Sequence, residues 1–196
     1  MKNLIVTIVV IVLVLGLTAC NTNTVANEKE IIQFGGRDWR IIDRQEDKVL
    51  IISEEIIEIK KYHAERVEIT WEYSTIREYL NGEFIENNFT PEEQSRIIET
   101  IIINNDNPYG SLASGGNDTT DKVFLLSLDE ANLYFTNDSE RIAFYGSGRE
   151  YWWWLRTPAL GGEGAVIVGI RGEPSNNGGN YIELSSGIRP ALWISL

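Results

Sequence analysis

Residues 151–160 read Tyr-Trp-Trp-Trp-Leu-Arg-Thr-Pro-Ala-Leu, and three adjacent tryptophans leave few ways to fold. In an extended strand, alternate side chains face opposite ways. Tyr151, Trp153 and Leu155 then share one side, and Trp152, Trp154 and Arg156 the other. A run that is apolar on both sides fits a strand covered on both faces. Each buried tryptophan removes ~150–250 Å² from water, worth roughly 4–6 kcal/mol gross. Leaving three exposed would forfeit much of that and invite aggregation. The pattern therefore predicts a core strand over 152–156, with at least two of the three tryptophans buried.

The amino-terminal residues carry a different signal. Lys2 precedes residues 4–16, a thirteen-residue run without a charge, followed by Leu17-Thr18-Ala19-Cys20. Such a run is short for a membrane span and suits a secretory core region. The whole resembles a bacterial lipoprotein signal, cleaved before the cysteine. The reading is a signal peptide over 1–19, a lipidated Cys20 with a polar tether over 20–30, and one domain over 31–196. Acyl chains such as palmitate on Cys20 would place the protein on the bacterial membrane, facing outside the cytoplasm. Cys20 is the chain's one cysteine. The domain then has no thiol for a disulfide, a thiolate metal site or a cysteine nucleophile. The net charge of −12 repels phosphate backbones and argues against nucleic-acid binding.

Within the domain, strand signals open the chain over 31–34, 39–42 and 49–53, in a meander-like start with Gly35-Gly36 at the first turn. A helix is predicted over 74–81, where Ile76, Tyr79 and Leu80 line one face behind Ser74 as N-cap. Thr90-Pro91-Glu92-Glu93 and Ser127-Leu128-Asp129-Glu130 are capping boxes that begin two more helices. Strands are expected over 97–103 and 123–126 between the helices, and over 165–171, 181–184 and 188–194 after the tryptophan run. Residues 104–121 form a long Asn/Gly/Ser/Asp loop. Strands at both ends with helices between them predict one α+β domain, with mixed or antiparallel sheets and two or three short helices, whose terminal strands meet in one sheet.

Four motifs in order, STIREYLN (74–81), DKVFLLS (121–127), WWLRTP (153–158) and GIRPALWI (187–194), resemble a family of uncharacterised bacterial cell-surface domains. Trp39 fits that family's opening strand, so the resemblance spans about 31–196. Trp153 and Trp154 fall inside the WWLRTP motif, which implies that they are the core pair, while Trp152 precedes it and is expected to be half exposed. The family is similar in fold to C-type lectin-like domains, which include formylglycine-generating enzymes and retroelement-diversified binding proteins. The resemblance implies a C-type lectin-like fold and no activity. Calcium-dependent lectins of this fold carry Glu-Pro-Asn or Gln-Pro-Asp followed by Trp-Asn-Asp. Glu173-Pro174-Ser175-Asn176 matches half of the first triplet, and the second is absent. The cysteines on which formylglycine-generating chemistry depends are absent from the domain as well.

The residues themselves support little chemistry. The run 173–180 is read first as a polar hairpin loop, because turn chemistry accounts for each residue. Calcium on oxygens of Glu173, Asn176, Asn177 and Asn180 is the alternative to no cofactor at all. Asp118 and Asp121 lack the spacing of an EF-hand and are read as turn caps or solvated groups. His63 is the single histidine and is expected at the surface. Glu54, Glu55 and Glu58 are read as a solvated face, though paired carboxylates would suit a cell-envelope carbohydrate or peptidoglycan hydrolase. The preferred function is a non-catalytic binding domain for a glycan, peptide or protein partner. Its surface would combine loops 104–120 and 172–180 with Trp71, Tyr109, Trp152, Glu173, Asn176 and Asn177. Trp39, Trp153, Trp154 and Trp193 are assigned to the core, with Arg156 and Arg189 in structural roles.

Overall fold

The computed structural model describes residues 29–110, 113–176 and 178–196. The amino-terminal half runs β1 (Ile31–Phe34), β2 (Arg37–Arg44), β3 (Lys48–Ser53), β4 (Glu58–Lys61), α1 (Thr75–Asn81), α2 (Glu83–Asn88) and α3 (Pro91–Arg96). Then come β5 (Ile97–Ile98), β6 (Thr100–Ile102), β7 (Thr119–Asp121), α4 (Leu128–Tyr134), α5 (Asp138–Arg141), β8 (Phe144–Tyr145) and β9 (Arg149–Glu150). The chain closes with β10 (Trp153–Ala159), β11 (Gly164–Val168), β12 (Asn180–Tyr181), β13 (Ser185–Ile188) and β14 (Ala191–Ser195). This is an α+β fold. Among the described residues it has five short helices rather than two or three, because the chain re-enters a helix at Glu83 directly after Gly82 caps α1, and Asn137 caps a further short helix, α5.

Two five-stranded sheets organise the domain, in the orders β1-β2-β3-β14-β5 and β12-β11-β10-β13-β4. The first and last strands thus share a sheet, as expected. All named pairings are antiparallel except β10 with β13, which is parallel. Gly35 and Gly36 both have positive φ, 56° and 66°. That geometry suits the two-residue hairpin between β1 and β2, which residues with a Cβ rarely adopt. Both capping boxes form, and Ser74 accepts from the Arg77 amide.

Three expected strands divide or dissolve, and in each case hydrogen bonding to two partners explains it. The run 97–103 splits into β5, which pairs with β14, and β6, which pairs with β7. The run 188–194 splits at Arg189-Pro190. Proline has no N–H to give a ladder, and the chain crosses here from one large sheet to the other. Residues 123–126 make no ladder. Phe124 exchanges two hydrogen bonds with Ala191 of β14, while the Leu126 carbonyl accepts from Arg156 of β10. The segment is a buried brace between the sheets. Shorter differences arise at 181–184, which pairs only at its start before turning, and at 165–171, which leaves its sheet after Val168.

The tryptophan run forms most of β10, and every residue of that strand is buried. Trp153 and Trp154 lie in the core with Trp39, Trp71 and Trp193. Three of the indole N–H groups bond to backbone: Trp153 donates to the Arg141 carbonyl at 3.0 Å, Trp154 to Lys60 at 2.9 Å and Trp39 to Phe34 at 2.7 Å. Gly187 lets β13 approach this strand. A Cβ there would meet the Trp152 carbonyl at 2.7 Å.

Candidate binding groove

One tryptophan escapes the core. Trp152 is 44 % exposed, whereas the other five are at most 7 % exposed. It sits one residue before β10, where its carbonyl accepts from the Gly187 amide at 2.8 Å. It lines a groove of about 580 Å³ with Phe144, Gly148, Arg149, Glu150, Tyr151 and Ile170. The Tyr151 and Trp152 rings are 6.3 Å apart and tilted by 45°. The Arg149 guanidinium lies 5.9 Å from the Tyr151 ring centre. Backbone geometry sets this platform up: the β8–β9 hairpin carries Phe144 and Arg149, and the Tyr151 amide bonds to the Ala143 carbonyl.

The other residues expected beside Trp152 are dispersed. Trp71 is a correction. It is 1 % exposed, and its indole donates to the buried Asp121 carboxylate at 2.9 Å. It supports the fold and offers no face to a ligand. Tyr109 is 53 % exposed, but its loop is tied to the far end of β10. There the Asn107 side chain donates to the carbonyls of Pro158 and Asn176 at 3.0 and 2.8 Å. Six residues of extended chain separate Trp152 from Pro158, a span of about 20 Å. Asn176 therefore lies with Tyr109, away from the groove. Glu173 is exposed on the strip that runs back along β11. Asn177 and Cys20 lie outside the described residues. Loops 104–110 and 172–176 meet where Asn107 bonds to Asn176. Glu173, whose carbonyl accepts from the Gly169 amide just past the Val168–Trp153 pair, lies instead toward the other end of β10.

Asp121 is a second correction. Expected in solvent or at a turn, it is fully buried and accepts from Trp71, from the Thr119 hydroxyl at 2.7 Å and from Arg77 at 2.7 Å. Asp118 accepts from the Asn104 amide, a local loop contact. His63 is partly buried, and its Nδ1 accepts from the Thr75 amide at 3.2 Å at the start of α1. Among the described residues no group of three or more His, Cys, Asp or Glu side chains is placed to hold a metal ion.

A second concavity of about 410 Å³ lies between the β1–β2 turn and residues 53–57, lined by Gln33, Asp38, Ser53, Glu54 and Glu55 among others. Glu54 is not a freely solvated carboxylate. Arg40 donates to both of its oxygens, at 2.8 and 2.7 Å, and Lys29 adds a contact at 3.2 Å. Burial works to raise its pKa, but the Arg40 hydrogen bonds and charge, helped by Arg189 and Lys29, hold it below the ordinary value. Glu58 instead accepts from the Tyr79 hydroxyl at 2.5 Å. Burial, then that carboxylate, raises the Tyr79 pKa.

The two arginines of the Arg-Pro and Arg-Thr-Pro motifs differ. Arg156 uses every donor it has. Nε reaches the Asn104 side chain, Nη1 the Leu125 carbonyl and Glu130, and Nη2 the Ile103 carbonyl and Glu130. Arg189 is fully buried with two nitrogens unpartnered. Sequence alone offered no sign of this difference.

A two-sheet α+β domain with one open aromatic groove fits many chains. Comparison is more specific about this one. The model of a family described as a domain of unknown function, DUF6273, matches residues 46–196, and the chain belongs to that family. The match starts later than the expected 31, so Trp39 and the β1–β2 hairpin precede it, although both belong to the first sheet. No curated protein and no solved structure matches the chain. Among the described residues no helix is long and apolar enough to cross a membrane.

Proposed function

We propose that the protein is an extracytoplasmic lipoprotein, anchored through Cys20, whose C-type lectin-like domain binds an envelope glycan without catalysis. The observation that carries the binding reading is Trp152. Burying its ring would stabilise the fold by several kcal/mol, yet it stands at the wall of a groove beside Tyr151 and Phe144. An exposed aromatic cluster of this kind marks an interaction site. Arg149 and Glu150 add hydrogen-bonding groups at its margin. Flat apolar faces with polar edges complement a sugar ring, which presents C–H faces and hydroxyl edges. The lectin-like reading draws support from the shared sheet of the terminal strands and from the loop 104–110 packed against the second sheet.

The hydrolase alternative would use the carboxylates at the second concavity. Glu54 is ill suited to the general-acid role, which requires a raised pKa; its paired contacts with Arg40 act in the opposite direction. Titration of cell-wall oligosaccharides, read by tryptophan fluorescence and calorimetry, tests the binding reading. Wild type should bind, and Trp152→Ala should lose at least tenfold in affinity while melting normally. Unchanged affinity in Trp152→Ala would remove the groove from the function. Binding of peptides or proteins in place of sugars, lost in the same variant, would keep the groove and replace the ligand. For the anchor, Cys20→Ala should abolish incorporation of labelled palmitate and release the protein from membranes; retention of both would refute lipidation.

A further inference from the structure

Arg189 lies at the crossover from β13 to β14, where the two large sheets join. Its surroundings leave one edge of the guanidinium without hydrogen-bond partners among the described residues. Nε donates to the Ser53 carbonyl at 2.8 Å. Cζ sits 5.2 Å from the Trp153 ring centre and 5.4 Å from that of Phe135. Nη1 and Nη2 are buried and have no hydrogen-bond partner among the described residues, and the same is true of the neighbouring Ser53 hydroxyl. The nearest carboxylate oxygen, on Glu54, is 3.8 Å from Nη2, too far for a hydrogen bond.

The charges do not balance either. Arg40 occupies both Glu54 oxygens, and Lys29 shares one of them. Three cations therefore gather on one carboxylate. Burial pushes the Arg189 pKa down to about 9; the Arg40 charge adds to this and Glu54 opposes it. A guanidinium keeps its proton in a protein, so the group remains a buried cation in need of an acceptor. Buried charge is tolerated where it is paired and hydrogen-bonded. A bridging water would satisfy the N–H groups and leave the charge excess in place. An anion meets both needs.

We propose that a small monovalent anion of halide size binds inside the domain, between the Nη1/Nη2 edge of Arg189 and the Ser53 hydroxyl. Arg189 donates from both terminal nitrogens, Ser53 donates its hydroxyl, and the anion offsets the repulsion between Arg189 and Arg40. Ser53 and Glu54 also line the 410 Å³ cleft, so the site is one side chain from solvent. Bound there, the ion would clamp the junction of the two sheets.

The test uses the full chain purified in detergent, melted in sodium chloride, sodium bromide or sodium gluconate at matched ionic strength. Chloride and bromide should raise Tm saturably, by about 5 °C or more at a hundredfold excess over Kd, relative to gluconate. Ser53→Ala keeps the guanidinium and should weaken halide affinity about tenfold, the equivalent of one hydrogen bond to a charged group. Crystals grown in bromide should show an anomalous peak within hydrogen-bonding reach of Arg189 Nη1 or Nη2. Equal Tm in halide and gluconate, a halide effect untouched by Ser53→Ala, or density at Arg189 that carries no bromide signal would each overturn the proposal, the last leaving a bridging water.

Discussion

Replacing Arg156 with methionine should be among the most damaging single changes in the domain. The side chain is 3 % exposed and gives five donors to five acceptors. Methionine keeps much of the apolar stem and removes every donor. Two deeply buried acceptors, the Leu125 carbonyl and the Asn104 side-chain oxygen, would lose a partner, at about 1–3 kcal/mol each. Glu130 contributes less, because its side chain is 28 % exposed and water can replace the guanidinium there. A total of about 3–5 kcal/mol follows, in line with removing one partner of a buried ion pair. For a domain of this size that corresponds to a fall in Tm of roughly 6–20 °C. Urea denaturation of wild type and variant, followed by tryptophan fluorescence, measures it. Because Asn104 and Ile103 anchor the following loop, amide exchange should also accelerate over 103–107. A loss under about 1 kcal/mol with unchanged m-value would refute the reasoning, by showing that the five bonds do little beyond replacing solvation.

Trp152→Ala should alter stability by no more than about 0.5 kcal/mol, whereas Trp153→Ala, which empties a buried site, should cost about 3–5 kcal/mol; equal effects in denaturant melts would contradict the division between groove and core. Asp121→Ala strands Arg77 and the Trp71 indole, so a loss of about 3–5 kcal/mol is expected by the same melts, and a loss near zero would return Asp121 to the solvated role suggested by its sequence. Glu54 has a folded pKa below its ordinary 4.5, because burial, which raises it, is outweighed by Arg40 together with Arg189 and Lys29. Its stabilising contribution is thus present above about pH 4.5 and disappears as pH falls through the folded value. Glu54→Gln should therefore destabilise at pH 7, with the gap from wild type closing in acid; a gap that widens toward acid would show the sign to be wrong.

Local chemistry was legible in the amino acids. Capping boxes at Thr90 and Ser127 depend on residues three apart, so they can be read directly, and both form. Sheer apolar mass called for at least two buried tryptophans, and the WWLRTP motif singled out Trp153 and Trp154 and left Trp152 half exposed, as the structure has them. The α+β class and the presence of the terminal strands in one sheet followed from the order of elements.

Tertiary structure decided whatever depends on residues distant in sequence. Trp71 looked available to a ligand because its partner, Asp121, lies 50 residues away. The five described residues expected to share a surface divide between the two ends of β10 and the core, because strand length, not sequence proximity, sets how far apart two loops lie. The stretches 97–103, 123–126 and 188–194 each read as one strand, since periodicity reports burial and not which sheet receives each hydrogen bond. Arg156 and Arg189 stand in similar motifs, yet one has every donor paired and the other has two buried nitrogens free. That contrast arises from the shapes around them: Asn104, Leu125 and Glu130 converge on the first, while Arg40 has already taken the carboxylate nearest the second.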